Sequence, residues 1–144
     1  MQSIHSVTKK SNIKIDISCP NDIRINSYAG AYSQIITNLI MNSLIHGFKE
    51  KEKGEIHITV LKEENELKII YKDNGKGIKK ENLNKIFDPF FTTNRDDGGS
   101  GLGLNIIYNI IVSRLNGSIK CLSQENKGVE FIILLKLTNS SDTE

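Results

Sequence analysis

The pairing of period-two segments constrains this chain most. GEIHITVLKE at 54–63 and ELKIIYKD at 66–73 alternate apolar with polar residues and meet at the charged turn EENE. Alternation of this kind buries one face of a strand, and so short a joint lays the two strands antiparallel. A second pair, SIKCLSQ and GVEFIILLKL, surrounds ENKG near the end of the chain. Earlier, NIKIDISC carries Ile13, Ile15 and Ile17 with polar residues between them, and the turn PND leads into a short strand, IRIN. Two segments with helical spacing separate these strands. SYAGAYSQIITNLIMNSLIHGF repeats Ile35, Ile36, Leu39, Ile40 and Leu44, and Gly47 stops it. LGLNIIYNIIVSRLN sets Leu104, Ile107, Ile110 or Ile111, and Leu115 on one face, with Gly117 as its stop. Residues 81–86 read as a short helix, and 87–101 as a loop. Strands that come in pairs between helices, without strict βαβα alternation, predict an α+β two-layer sandwich. Its sheet is mixed and mostly antiparallel, with helices packed on one face.

At 144 residues the chain has the length of one domain. A net charge of +2 speaks against a sequence-independent nucleic-acid binder, which needs a basic excess. Cys19 and Cys121 lack metal or redox spacing and read as small hydrophobes in a reducing cytosol. No run reaches the ~18 apolar residues of a membrane span, so a cytoplasmic location is expected, without membrane contact by this chain.

Three polar constellations interrupt the apolar pattern. Gln34, Asn38 and Asn42 are spaced four apart, so their amides share one helix face. Asn is a poor helix former, and this stretch lacks the Lys and Glu of an ordinary solvated face. Its amides either face water or offer neutral oxygen to a hard cation such as Mg²⁺. The second constellation is DNGKGI at 73–78, directly after a strand. An Asn-Gly turn explains Asn74 and Gly75 but not Asp73 or Gly77. A carboxylate beside backbone without side chains can accept from the exocyclic amine of a flat ligand, as adenine presents and guanine does not. The third is GGSGLGL at 98–104, which runs into a helix. It is either a hinge or a set of free backbone N–H groups for an anion. It is not a Walker A loop, because no Gly-Lys-Ser/Thr follows. Between the last two, Phe87, Phe90 and Phe91 cluster around Pro89, as core packing or as the base of a lid that carries Arg95.

In order, the NxxxN spacing of Asn38 and Asn42, DNGKGI, FDPFF and GSGLGL resemble the N, G1, F and G2 boxes of bacterial sensor histidine kinases. The resemblance is to their catalytic ATP-binding domain, of the Bergerat-fold superfamily shared with DNA gyrase and MutL. It covers about residues 11–137. It implies ATP and Mg²⁺ as cofactors, Asp73 as the base-recognition carboxylate, and Asn42 as the metal ligand with Asn38 in support. It further implies that Gly75, Gly77 and Ile78 line the base. Phe87 and Phe90 would anchor the lid, and Arg95 would reach a phosphate. Gly99, Ser100, Gly101, Leu102 and Gly103 would lie along the triphosphate. Two positions depart from the pattern. Ile45 stands where many members carry a Lys, and His46 where an aromatic often lies near the nucleotide.

The same resemblance implies the partners. The γ-phosphate would pass to a histidine on a separate dimerisation and phosphoacceptor domain, and from there to a response regulator. His5, His46 and His57 lack the acceptor pattern, so the isolated chain is expected to be nearly inactive alone. Residues 1–10 would then end a dimerisation helix, and 138–144 would form a mobile tail, of a kinase that can itself be membrane-anchored. The alternatives are an ATPase or serine kinase of the superfamily, whose members resemble one another in having Glu at the position of Asn38, or a non-catalytic module of the same fold.

Overall fold

The computed structural model describes residues 2–8, 13–19, 29–48, 53–88 and 103–136. Strands β1 (Gln2–Thr8) and β2 (Ile13–Cys19) precede helix α1 (Ala29–Asn42). Strands β3 (Gly54–Glu63) and β4 (Glu66–Asp73) follow, then helix α2 (Gly103–Asn109), β5 (Ser118–Ser123) and β6 (Val129–Lys136). The six strands form one sheet in the order β1-β2-β3-β4-β6-β5. Only β2 and β3 run parallel among the described strands, because α1 crosses between them. The sheet is thus mixed and mostly antiparallel, as the strand pairs predict.

Alternation along the strands decides which face is buried. β3 buries Ile56, Ile58 and Val60, β4 buries Leu67, Ile69 and Tyr71, and β6 buries Val129, Phe131, Ile133 and Leu135. In register, Ile58, Tyr71, Phe131 and Cys121 form one row across the sheet, and Ile56, Asp73, Val129 and Ser123 form the next. Ile35 and Leu39 of α1 and Ile107 of α2 close the core over this face, with Ile111 and Leu115 just beyond α2. Asp73 occupies a core-facing position at the last place of β4, so the strand period itself aims its carboxylate under the helices.

Both helices end in a widened turn. Ser43–Gly47 continues α1 as a π-turn, closed by Phe48 N–H donating to the Ser43 carbonyl at 2.8 Å. The stripe of Ile35 and Leu39 therefore runs on to Ser43, which is 1% exposed. Ile110–Arg114 ends α2 in the same way. There Asn116, at φ 52°, takes the left-handed conformation, not Gly117. Gly117 is small for another reason: a Cβ on it would lie 2.2 Å from the Leu134 carbonyl oxygen.

Two local expectations change. Residues 2–8, read as the end of a dimerisation helix, form β1, antiparallel to β2 with Ile4 opposite Ile17. β-branched Ile4, Val7 and Thr8 suit a strand, and pairing covers an otherwise open sheet edge. The short helix at 81–86 is a single 3₁₀ turn, Lys80–Asn82, followed by turns. Asn74 and Gly75 do not form a primed hairpin turn, since neither has a positive φ; Gly77, at 74°, does. The strand expected at 23–26 lies outside the described residues.

Ile133 is fully buried, whereas Leu122 is 43% exposed on the outer face. Ile133→Ala is expected to lower the unfolding free energy by about 2–4 kcal/mol. Leu122→Ala is expected to cost under about 1 kcal/mol, both measured by urea denaturation.

Candidate functional site

The site forms where the end of β4, the widened turn after α1 and the β5–β6 hairpin converge. Asp73, 9% exposed, is its centre. Its Oδ1 accepts from Gly75 N–H at 3.0 Å and from Val129 N–H at 3.1 Å. Its Oδ2 accepts from the Ser43 hydroxyl at 2.6 Å. Ser43 in turn contacts the Tyr71 hydroxyl at 2.5 Å, and Tyr71 donates to the Leu39 carbonyl at 2.9 Å. Burial first, and then the Asp73 charge, push the Tyr71 phenol well above its ordinary range, so it stays a neutral donor.

The backbone after Asp73 lies against α1. Lys76 N–H donates to the Gly47 carbonyl at 2.8 Å. A Cβ on Gly75 would stand 2.5 Å from that same oxygen. Gly77 presses equally hard on the hairpin, where a Cβ would meet the Gln124 carbonyl at 2.0 Å. Ile78 N–H donates to Ser123 Oγ at 2.8 Å, Ser123 donates to the Gly128 carbonyl at 2.7 Å, and the Ile78 side chain packs on the core. Asn74 points away from this site: its Oδ1 accepts from Glu55 N–H at 2.8 Å. DNGKGI is therefore neither a simple turn nor a flexible one. Its glycines let three backbones meet around one carboxylate.

The other sequence candidates fall into two groups. Asn38 and Asn42 are half-buried on α1, and neither side chain is hydrogen-bonded to another described residue, whereas Gln34 is exposed. Asn42 directly precedes Ser43, so its helix end abuts Asp73. Ile45 is half-buried, and for His46 only the backbone, within the π-turn, is described. Phe87 packs on Tyr108 and Phe131 at ring-centroid distances of 5.4 and 6.4 Å. Asn105 Nδ2 donates to the Phe87 carbonyl at 3.0 Å, tying this segment to α2. Gly103 opens α2. Phe90, Arg95, Gly99, Ser100, Gly101 and Leu102 lie outside the described residues. Sequence reading overlooked Ser43, Tyr71, Ser123 and Asn105. The signal for Ser43 was its place on the Ile35–Leu39 stripe, where a polar residue must find a partner.

Fold and site together define the class: an α+β nucleotide-binding domain. Residues 29–139 match the family model described as histidine kinase-, DNA gyrase B-, and HSP90-like ATPase, and the chain belongs to that family. It is 33% identical to the catalytic domain of histidine kinase ThkA, with a TM-score of 0.74 over 89% of this chain and 81% of that one. Sensor protein RprX of Bacteroides fragilis is 39% identical over 109 residues, covering 71% of this chain and 21% of RprX. Sensor histidine kinase ZraS of Escherichia coli is 37% identical over 103 residues, covering 72% of this chain and 21% of ZraS. The chain thus spans about a fifth of the length of these curated relatives. No helix among the described residues is long and apolar enough to cross a membrane.

Two outcomes follow from this packing. Gly75→Ala is expected to destabilise the domain by about 1–3 kcal/mol, since the Gly47 backbone has to move; thermal unfolding checks it. Burial, and then the Asp73 charge, push the Cys121 thiol up from 9.0 to about 12. An unfolded thiol ionises from about pH 9 while the native one keeps its proton. The stability this contributes is full below pH 9 and is lost as pH rises towards 12. Denaturation midpoints should fall across that window, and less steeply in Cys121→Ala.

Proposed function

We propose that this domain binds Mg–ATP and presents the γ-phosphate to a histidine on a separate dimerisation and phosphoacceptor domain, the first step of a relay to a response regulator. The observation that carries this reading is the Asp73 carboxylate, buried at the end of β4 and held by two backbone N–H groups and Ser43. Such a group accepts from the 6-amino group of adenine; Gly75 and Gly77 support it indirectly, since their missing side chains make room for the Gly47 and Gln124 carbonyls that pack the loop around Asp73.

The donors available suit Mg²⁺ bound mainly through phosphate and water. Among the described residues no three His, Cys, Asp or Glu side chains gather to hold a metal. Asn42 offers one half-buried amide oxygen with no described partner, the neutral hard ligand a magnesium ion takes beside phosphates. When bound, the ion would neutralise phosphate charge. Arg95 is the candidate for the phosphate contact that Ile45 cannot make. Asn38, an amide, cannot act as a general base for water, which favours transfer to a histidine over hydrolysis. His57 is half exposed on the outer face of the sheet, 3.4 Å from Glu55 and 3.7 Å from Asp16, and is no acceptor for this site.

Calorimetry with a non-hydrolysable ATP analogue tests the binding step. Asp73→Asn, which keeps an acceptor for the Gly75 and Val129 N–H groups, should remove most affinity while the domain stays folded, and the native chain should prefer ATP to GTP by about 1–3 kcal/mol. Asn42→Ala should weaken binding and flatten its dependence on Mg²⁺; an unchanged dependence would sink the metal role. With radiolabelled ATP the chain alone should turn over little, and adding a dimerisation domain should label its histidine. Steady hydrolysis by the chain alone, lost in Asn38→Ala, would overturn the transfer reading in favour of an ATPase.

A further inference from the structure

The contacts that run from Leu39 through Tyr71 and Ser43 to Asp73 can be counted hydrogen by hydrogen. Tyr71 and Ser43 each have one hydroxyl hydrogen. Ser43 spends its hydrogen on Asp73 Oδ2, at 2.6 Å. Tyr71 reaches both Ser43 Oγ at 2.5 Å and the Leu39 carbonyl at 2.9 Å. With the Ser43 hydrogen committed to a carboxylate, the single Tyr71 hydrogen lies between Ser43 Oγ and the Leu39 carbonyl and is shared by those two acceptors. Ser43 is 1% exposed, so its hydrogen is shielded from bulk water.

The same count applies to the carboxylate. A carboxylate offers about four lone-pair positions. Oδ1 uses two, for Gly75 N–H and Val129 N–H, and Oδ2 uses one, for Ser43. One position is left, on Oδ2. The space beside it is kept clear by Gly47, whose Cβ, if present, would lie 3.2 Å from that oxygen.

We propose that Ser43, held by Tyr71, is a positioning residue for base selection: it turns Asp73 so that a single acceptor position on Oδ2 meets a purine exocyclic amine, and it leaves no hydrogen there for a purine carbonyl. A ring carbonyl at this place would face an oxygen that cannot donate, next to a hydroxyl whose only hydrogen is already used. Selection of the amine then depends on the whole chain of contacts from α1 to β4, not on Asp73 alone. The inference rests on the reading of Asp73 as the base contact, and its test is built to separate the two.

The experiment compares ATP with the triphosphate of purine riboside, which lacks the 6-amino group, by calorimetry on the full chain. The native chain should bind ATP more tightly. In Ser43→Ala the affinity for ATP should fall about tenfold, while that for the amine-free triphosphate stays within about twofold, so the preference for the amine collapses. Ser43→Thr, which keeps a hydroxyl, should restore the preference. Tyr71→Phe should erode it in the same direction by a smaller factor, and it carries the test if Ser43→Ala does not fold. An equal loss for both triphosphates, or an unchanged ratio in Ser43→Ala and Tyr71→Phe, would overturn the positioning role. Equal binding of both ligands by the native chain, unaltered in Asp73→Asn, would instead overturn Asp73 as the base contact.

Discussion

The hydrogen bonds that converge on the Asp73 carboxylate hold the functional end of this domain together. Each donor comes from a different place: Ser43 from the turn after α1, Gly75 from the loop beyond β4, and Val129 from the start of β6. A carboxylate this buried would be costly without them, because a charge removed from water needs donors of its own. Satisfied by donors from distant parts of the chain, it ties those parts to one another. The group proposed to contact the base is therefore also the group on which the local architecture depends.

That convergence needs backbones to approach more closely than side chains permit. Gly47 and Gly75 face one another across α1 and the loop, and Gly77 meets the hairpin at Gln124. Gly128, at φ 81°, sits so near the Asp73 carbonyl that a Cβ would be 2.0 Å from it. The widened turn at Ser43–Gly47 belongs to the same arrangement. It turns the Gly47 carbonyl outward to accept from Lys76. A π-turn at the end of a helix often marks a functional position, and here its first residue, Ser43, reaches the carboxylate.

Much of the fold was legible in the sequence because its signals are local. Period-two runs at 54–63, 66–73 and 129–136 appear as strands, and the helical stripe of Ile35 and Leu39 is buried as its spacing predicts. β1 was not legible, since an edge strand is decided by the edge it covers and not by its own apolar content. Gly117 looked like a helix stop, yet Asn116 carries the left-handed turn and Gly117 yields space to β6. Such a distinction depends on a neighbour that is remote in sequence.

The site divides along the same line. By itself the sequence determined that Asp73 ends a strand, that glycines surround it, and that Asn38 and Asn42 share one helix face. These are consequences of periodicity and of residue chemistry, which act within a few positions. Only the tertiary structure decided that Asp73 faces the core and what holds it there. Tyr71 lies two residues before it, on the same face of β4, while Ser43 lies thirty residues away and Val129 fifty-six. A hydroxyl on a helix has no assigned partner until the sheet is laid beneath it. Its single hydrogen then goes to whichever acceptor the packing brings within reach, and here that acceptor is the Asp73 carboxylate.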